Sequence, residues 1–187
     1  MRKPWAVRRW ALVSLPSRAG ALGIFLAVVT TASLSMGDVH AAGNCGDANN
    51  CTADTFAEAI FSYANINAPN TQPNRHAFET WEDAEGGNWQ NTAYCNPLNT
   101  TQTEPGSYSI NSVGVQAFVN GYGHTCWYWG IKATGDTLLA GSGSFRVYRD
   151  ILHALRDPKI YDHDQCLNLA YAVLHSPWGT GDFSALC

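Results

Sequence analysis

A chain of 187 residues with 11 Lys+Arg against 15 Asp+Glu has room for one modest domain, and its charge excludes strong attraction to nucleic acid. The acidic excess deepens once the first 41 residues are set aside. Residues 42–187 hold six basic and 14 acidic side chains, about −8 in net charge, so charge alone would not draw them to an anionic cell wall either.

Residues 1–41 read as an export signal. Arg2, Lys3, Arg8, Arg9 and Arg18 form a positive lead, residues 21–34 an apolar core, and Val39-His40-Ala41 a small-residue cleavage site. The apolar run is short for a membrane span, and the long lead leaves an uncleaved N-terminal anchor as the second reading. All six cysteines follow this segment, and an even number in an exported chain points to disulfides. The expected pairs are Cys45 with Cys51, Cys95 with Cys126, and Cys166 with Cys187, each tying down a segment that otherwise looks loose. Zinc is the rival, but no two cysteines show the short spacing of ribbons and fingers.

The expected domain, 42–187, opens on a Gly/Asn-rich lead-in. Thr55 with Glu58 forms a capping-box pattern, and Ala57, Ile60, Phe61 and Ala64 give a first helix its apolar stripe, ending near Asn65. A turn at 67–74 follows, with Thr71 as N-cap of a second helix and Pro73 tolerated in its first turn. At about 100° per residue, Ala77, Phe78, Trp81 and Ala84 of that helix share a stripe, and Glu85 falls between Trp81 and Phe78. Glu79 and Asp83 point away, Glu82 sits at the edge, and Gly86-Gly87 stops the helix. A carboxyl held against aromatic surface there is expected to have a raised pKa, as a general acid requires. Capping a turn, or reaching solvent past the glycines, is the alternative for Glu85.

Residues 87–118 are dense in turn formers and predict loops with short strands at 108–110 and 113–115, or irregular chain throughout. The aromatic stretch at 124–129 leads into a helix over 130–140, with Ile131, Thr134, Leu138 and Leu139 on its buried side. Residues 145–156 carry the amphipathic pattern Val147, Tyr148, Ile151, Leu152 and Leu155, closed by Asp157-Pro158. A last helix over 163–175 places Leu167, Ala170, Tyr171 and Leu174 on one stripe before Ser176-Pro177. The expected fold class is mainly α, with a small loop-rich or short-stranded insert after the second helix and no internal repeat.

An acid at the mouth of such an insert suits glycoside cleavage, in which a protonated carboxyl serves the leaving oxygen while amide side chains hold the sugar. Asn96, Asn99, Asn111 and Gln116 are candidate sugar-binding amides, with turn formation as the competing role. Trp89, Trp127 and Trp129 are candidates for stacking on sugar faces, with core packing as the commoner fate. Other chemistries lack their motifs: Ser112 and Ser144 sit in no GxSxG elbow, and neither HExxH nor a P-loop is present. The histidines are scattered, and a cysteine nucleophile would need a free thiol.

Six segments then carry a family resemblance: 68–87 (APNTQPNRHAFETWEDAEGG), 96–101 (NPLNTT), 111–118 (NSVGVQAF), 137–139 (TLL), 148–157 (YRDILHALRD) and 176–181 (SPWGTG). In that order they resemble a module of phage lysins and tail-associated lysins that is similar to the lysozyme-like superfamily, close to lytic transglycosylases and goose-type lysozymes. The resemblance covers most of 57–181. It implies an α+β lysozyme-like fold with Glu85 as the acid, Gly114-Val115-Gln116 lining the glycan cleft, and Asn96-Pro97 following the catalytic helix. The aromatic segment 121–129 and the acidic balance depart from the pattern.

The expected function is a secreted, monomeric peptidoglycan glycosidase that cuts between N-acetylmuramic acid and N-acetylglucosamine, with no cofactor and no metal. Its partners would be glycan strands, not nucleic acid and not a membrane beyond the signal segment. If no carboxylate faces Glu85, the muramoyl 6-hydroxyl can attack internally, the lytic-transglycosylase outcome that the resemblance implies. If Glu104, or Asp136, lies opposite, hydrolysis becomes possible, with separations of about 5–5.5 Å or 6.5–9.5 Å pointing to retention or inversion. The alternative function is a non-catalytic wall-binding or interaction module on the same fold.

Overall fold

The computed structural model describes residues 45, 51–86, 95–141 and 143–187, of Ser144 the backbone only. The export segment 1–41 and the stretch 87–94, with Trp89, lie outside the described residues. Helix α1 (Ala53–Ser62) starts earlier than the Thr55–Glu58 pattern predicts. Its N-cap is Thr52, which exchanges reciprocal hydrogen bonds with Thr55 at 3.3 and 2.9 Å. The Cys45–Cys51 disulfide anchors the residue just before this cap, so the helix begins beside the staple. Tyr63 leaves the helical conformation at the other end, short of Asn65, whose φ of 68° cannot continue a right-handed helix.

Helix α2 (Gln72–Gly86) contains Pro73 in its first turn and ends on the first of the two glycines. Ala77, Phe78 and Trp81 are buried as the stripe predicts, with Phe61, Phe78, Trp81, Trp178 and Tyr148 packed edge to face in series. The buried wedge is wider than the stripe, because α2 packs against both α1 and α5 (Asp162–Leu174). It therefore takes in Asn74 and Glu82 as well.

Asn74 is answered in full. Its Nδ2 donates to Pro69 O at 3.0 Å and Leu155 O at 2.8 Å, while its Oδ1 accepts from Gln165 Nε2 at 3.0 Å. Gln165 Nε2 also reaches Ala154 O at 3.0 Å. Two side chains from α2 and α5 thereby satisfy carbonyls in the last turn of α4 (Arg149–Arg156), which have no partner within their own helix. Helix α4 starts later than the pattern over 145–156 predicts. The chain at 143–145 instead forms a 3-10 turn between left-handed glycines and the helix, with Phe145 86% exposed.

Helix α5 faces inward differently from the predicted stripe. Gln165, Cys166, Leu169, Ala170 and Val173 are buried, whereas Leu167, Leu174 and Tyr171, the last 67% exposed, face outward. The hydrogen bonds of Gln165 and the Cys166–Cys187 disulfide fix that rotation.

Among its described residues the insert contains one antiparallel pair, β1 (Tyr108–Ser109) with β2 (Gln116–Ala117). The second strand begins later than predicted because 111–115 is spent on the turn. Asn111 Oδ1 accepts from Val115 N at 3.0 Å, and Gly114 has a φ of 92°. Helix α3 (Cys126–Leu138), capped by Thr125, buries Ile131, Thr134 and Leu138 and leaves Leu139 half-buried, close to expectation. Gly130 lets it lie against the Cys95 backbone, where a Cβ would stand 1.9 Å from the carbonyl oxygen. The fold is mainly α with a small short-stranded insert, as expected from the sequence.

All three expected cysteine pairs are bonded, including Cys95–Cys126 across the insert. Such a set belongs to an oxidising, extracytoplasmic setting. Among the described residues no helix is long and apolar enough to cross a membrane.

Candidate active site

Glu85 lies on the last turn of α2, half-buried, where three separate parts of the chain meet. The first is α2 itself, through Trp81 one turn back. The second is the NPLNTT turn: Asn99 Nδ2 donates to the Glu85 carbonyl oxygen at 2.9 Å and to its Oε2 at 3.4 Å. The third is the segment after α5, from which the Thr180 hydroxyl donates to Glu85 Oε1. That hydroxyl in turn accepts from Trp81 Nε1 at 3.1 Å. Trp178 joins the second and third segments through Nε1, which donates to Leu98 O at 3.2 Å.

The NPLNTT turn owes its shape to Asn96, which is wholly buried. Its Nδ2 donates to Thr100 O at 2.9 Å and Gln116 O at 2.7 Å, and its Oδ1 accepts from Thr100 N at 2.9 Å. All of the amide's contacts are to backbone, and they close the loop that presents Asn99. Asn99 adopts a φ of 52°, a left-handed conformation that asparagine tolerates better than most residues. Of the four predicted amides, Asn99 alone reaches Glu85. Gln116, also buried, is held between Ser107 Oγ at 3.0 Å and Gly114 O at 2.8 Å, and Asn111 shapes the β1–β2 turn. The competing turn-forming and structural role is therefore the one that Asn96, Asn111 and Gln116 display.

The carboxylates divide by partner. Glu104, with its side chain only 4% exposed, pairs with Lys132 Nζ at 3.0 Å, and the same ammonium binds Asp136 Oδ2 at 2.5 Å. Asp136 also accepts from the Tyr63 hydroxyl at 2.6 Å. Burial pushes the Glu104 pKa up against the opposing pull of Lys132. Burial likewise opposes the charge on Lys132, but its bonds to Asp136 and Glu104 outweigh that and raise its pKa. Tyr63 is pushed up too, first by burial and then by the hydrogen bond to Asp136. This chain of groups pins the insert to α3 and leaves neither acid free.

Glu82, at the stripe's edge by helical arithmetic, is the wholly buried acid. Among the described residues neither of its oxygens has a hydrogen-bond partner, and burial, reinforced by Glu79, Asp83 and Asp54, raises its pKa well above the ordinary value. Of the predicted stacking residues, Trp129 is buried and Trp127 is half-buried beside Phe56 at 6.1 Å between ring centres. Among the described residues no group of three or more His, Cys, Asp or Glu side chains is placed to hold a metal ion. The hollow between α4 and α5, lined by Asp150, His153, Asn168, Tyr171 and His175, shares no residue with the Glu85 cluster.

Thr180 is the contact that sequence reasoning missed. It belongs to SPWGTG, a segment quoted for its resemblance but given no role, and only the return of the chain past α5 brings it to the end of α2. No family model, curated protein or solved structure matches the chain.

Proposed function

We propose that the domain cleaves peptidoglycan glycan strands between N-acetylmuramic acid and N-acetylglucosamine, with Glu85 as general acid and then general base. The observation that carries this reading is the convergence of α2, the NPLNTT turn and the WGTG segment on one half-buried carboxylate. Protonated Glu85 would give its proton to the glycosidic oxygen as the bond from that oxygen to C1 of the muramic acid breaks. The carboxylate so formed would take the proton of the muramoyl 6-hydroxyl as that oxygen closes on C1, leaving a 1,6-anhydro end. The occupied state of Glu104 and Asp136 favours this internal attack over hydrolysis, because both carboxylates are committed to Lys132.

Digestion of purified peptidoglycan by the wild type and Glu85→Gln, with mass spectrometry of the released muropeptides, tests both parts. Anhydro fragments from the wild type alone are the expected result. Fragments carrying a full reducing end would replace transglycosylation by hydrolysis, and equal release by both proteins would remove Glu85 from the chemistry. The second reading, a non-catalytic wall-binding module, draws on the fact that both Glu85 oxygens already accept hydrogen bonds within the protein. Retention on insoluble wall without release of fragments would favour it.

A further inference from the structure

We propose that Thr180 is the positioning residue for Glu85, its hydroxyl aimed by the Trp81 indole so that Oε1 is held and Oε2 is the oxygen that works on substrate. The inference rests on the glycosidase reading of Glu85. An indole N–H can only donate, so Thr180 Oγ1 must accept from Trp81 Nε1, and its single proton is left for Glu85 Oε1. Trp81 is wholly buried between Phe78 and Trp178, with ring centres 5.5 and 4.9 Å away, so the indole cannot turn without repacking the core. Gly179, with a φ of 99°, links Trp178 to Thr180 through a left-handed conformation that other residues reach only under strain.

The two carboxylate oxygens are thereby made unequal. Oε1 accepts from a hydroxyl fixed by the core, while among the described residues Oε2 has only the long 3.4 Å contact with Asn99. A proton carried on Oε2 leaves the Thr180 bond intact, so the carboxyl keeps its orientation through both halves of the reaction. Asn99 Nδ2 secures the backbone at the same residue through the Glu85 carbonyl at 2.9 Å.

The test compares wild type, Glu85→Gln, Thr180→Val and Thr180→Ser on a soluble glycan oligomer, with the Trp81 indole N–H resonance followed by NMR in each. Expected for Thr180→Val is a loss of about 10- to 100-fold in kcat with KM within about twofold, since misplacement acts on the reacting geometry. Thr180→Ser, which keeps the hydroxyl, should recover most of the rate, and the indole signal should report a folded core in both. Wild-type activity in Thr180→Val, or a Thr180→Ser variant as poor as Thr180→Val, overturns the proposal.

If wild type and Glu85→Gln release fragments equally, the glycosidase reading itself fails, and the resonance decides on the contact alone. Glu85→Gln should then move the Trp81 indole signal when Thr180 is present and leave it unmoved beside Thr180→Val. An identical response in both backgrounds overturns the linkage through Thr180.

Discussion

Replacing Glu82 should change how stability depends on pH more than any other single substitution in α2. Its carboxyl is wholly buried, neither oxygen has a hydrogen-bond partner among the described residues, and burial raises its pKa well above 4.5. In the unfolded chain the same group ionises near the ordinary value, so between the two pKa values the folded state binds more protons. Stability from this group is therefore fully present below about pH 4.5 and falls as pH rises, at up to about 1.4 kcal/mol per pH unit, until the folded pKa is passed. Glu79, whose pKa is raised by burial and by Asp54, adds a smaller change of the same sign.

Two substitutions separate the charge from the packing. Glu82→Gln keeps the shape and removes the titration, so its stability should lack this slope. Glu82→Met also removes the orphaned oxygens and should be more stable than the wild type at pH 7 by about 1–3 kcal/mol. Urea unfolding with the disulfides intact, at pH 5, 6, 7 and 8, measures both. Parallel pH profiles for wild type and Glu82→Gln would refute the argument, because they would mean that Glu82 titrates alike in the folded and unfolded chains.

Three further outcomes follow from the site and its scaffold. Glu85→Gln should reduce fragment release by about 10²- to 10⁴-fold, the range of a lost general acid, while its urea midpoint stays close to that of the wild type. Asn96→Ala should lower stability by about 2–4 kcal/mol in urea unfolding, because it strips the Asn96 bonds from the buried Gln116 carbonyl and the Thr100 N–H and leaves the Thr100 carbonyl with the Gln116 N–H at 3.1 Å. Gly130→Ala should destabilise by about 1–3 kcal/mol in the same assay, since its Cβ would meet the Cys95 carbonyl oxygen at 1.9 Å and α3 would have to shift.

Much of the scaffold was legible where one physical pattern dominated. Ala77, Phe78 and Trp81 repeat at helical spacing and are buried, and the cysteine pairs followed from which segments needed tying. The reading failed where two patterns compete for one element. Residues 162–174 offer an outward stripe of Leu167, Tyr171 and Leu174 as well as an inward one of Cys166, Leu169 and Val173, and the distant partners Cys187, Asn74 and Ala154 select the second. The hairpin register failed for a local reason, since Asn111 uses its side chain to make the turn and pushes β2 to Gln116. Thr180 was out of reach of any periodicity argument, because 95 residues separate it from Glu85.

The two glutamates one turn apart on α2 also separate two properties that a sequence reading joins. Desolvation was expected to mark the catalytic acid, and burial gives a strongly raised pKa to Glu82. Yet a carboxyl with no exposed surface and no hydrogen-bond partner among the described residues cannot hand a proton to a glycosidic oxygen, whatever its affinity for that proton. Glu85 has the opposite character, half-exposed and held by Asn99 and Thr180 from two other segments. Access and orientation therefore decide between them before acidity does. The raised pKa is a mark of the core at Glu82, and the hydrogen-bonded grip is the mark of the proposed site at Glu85.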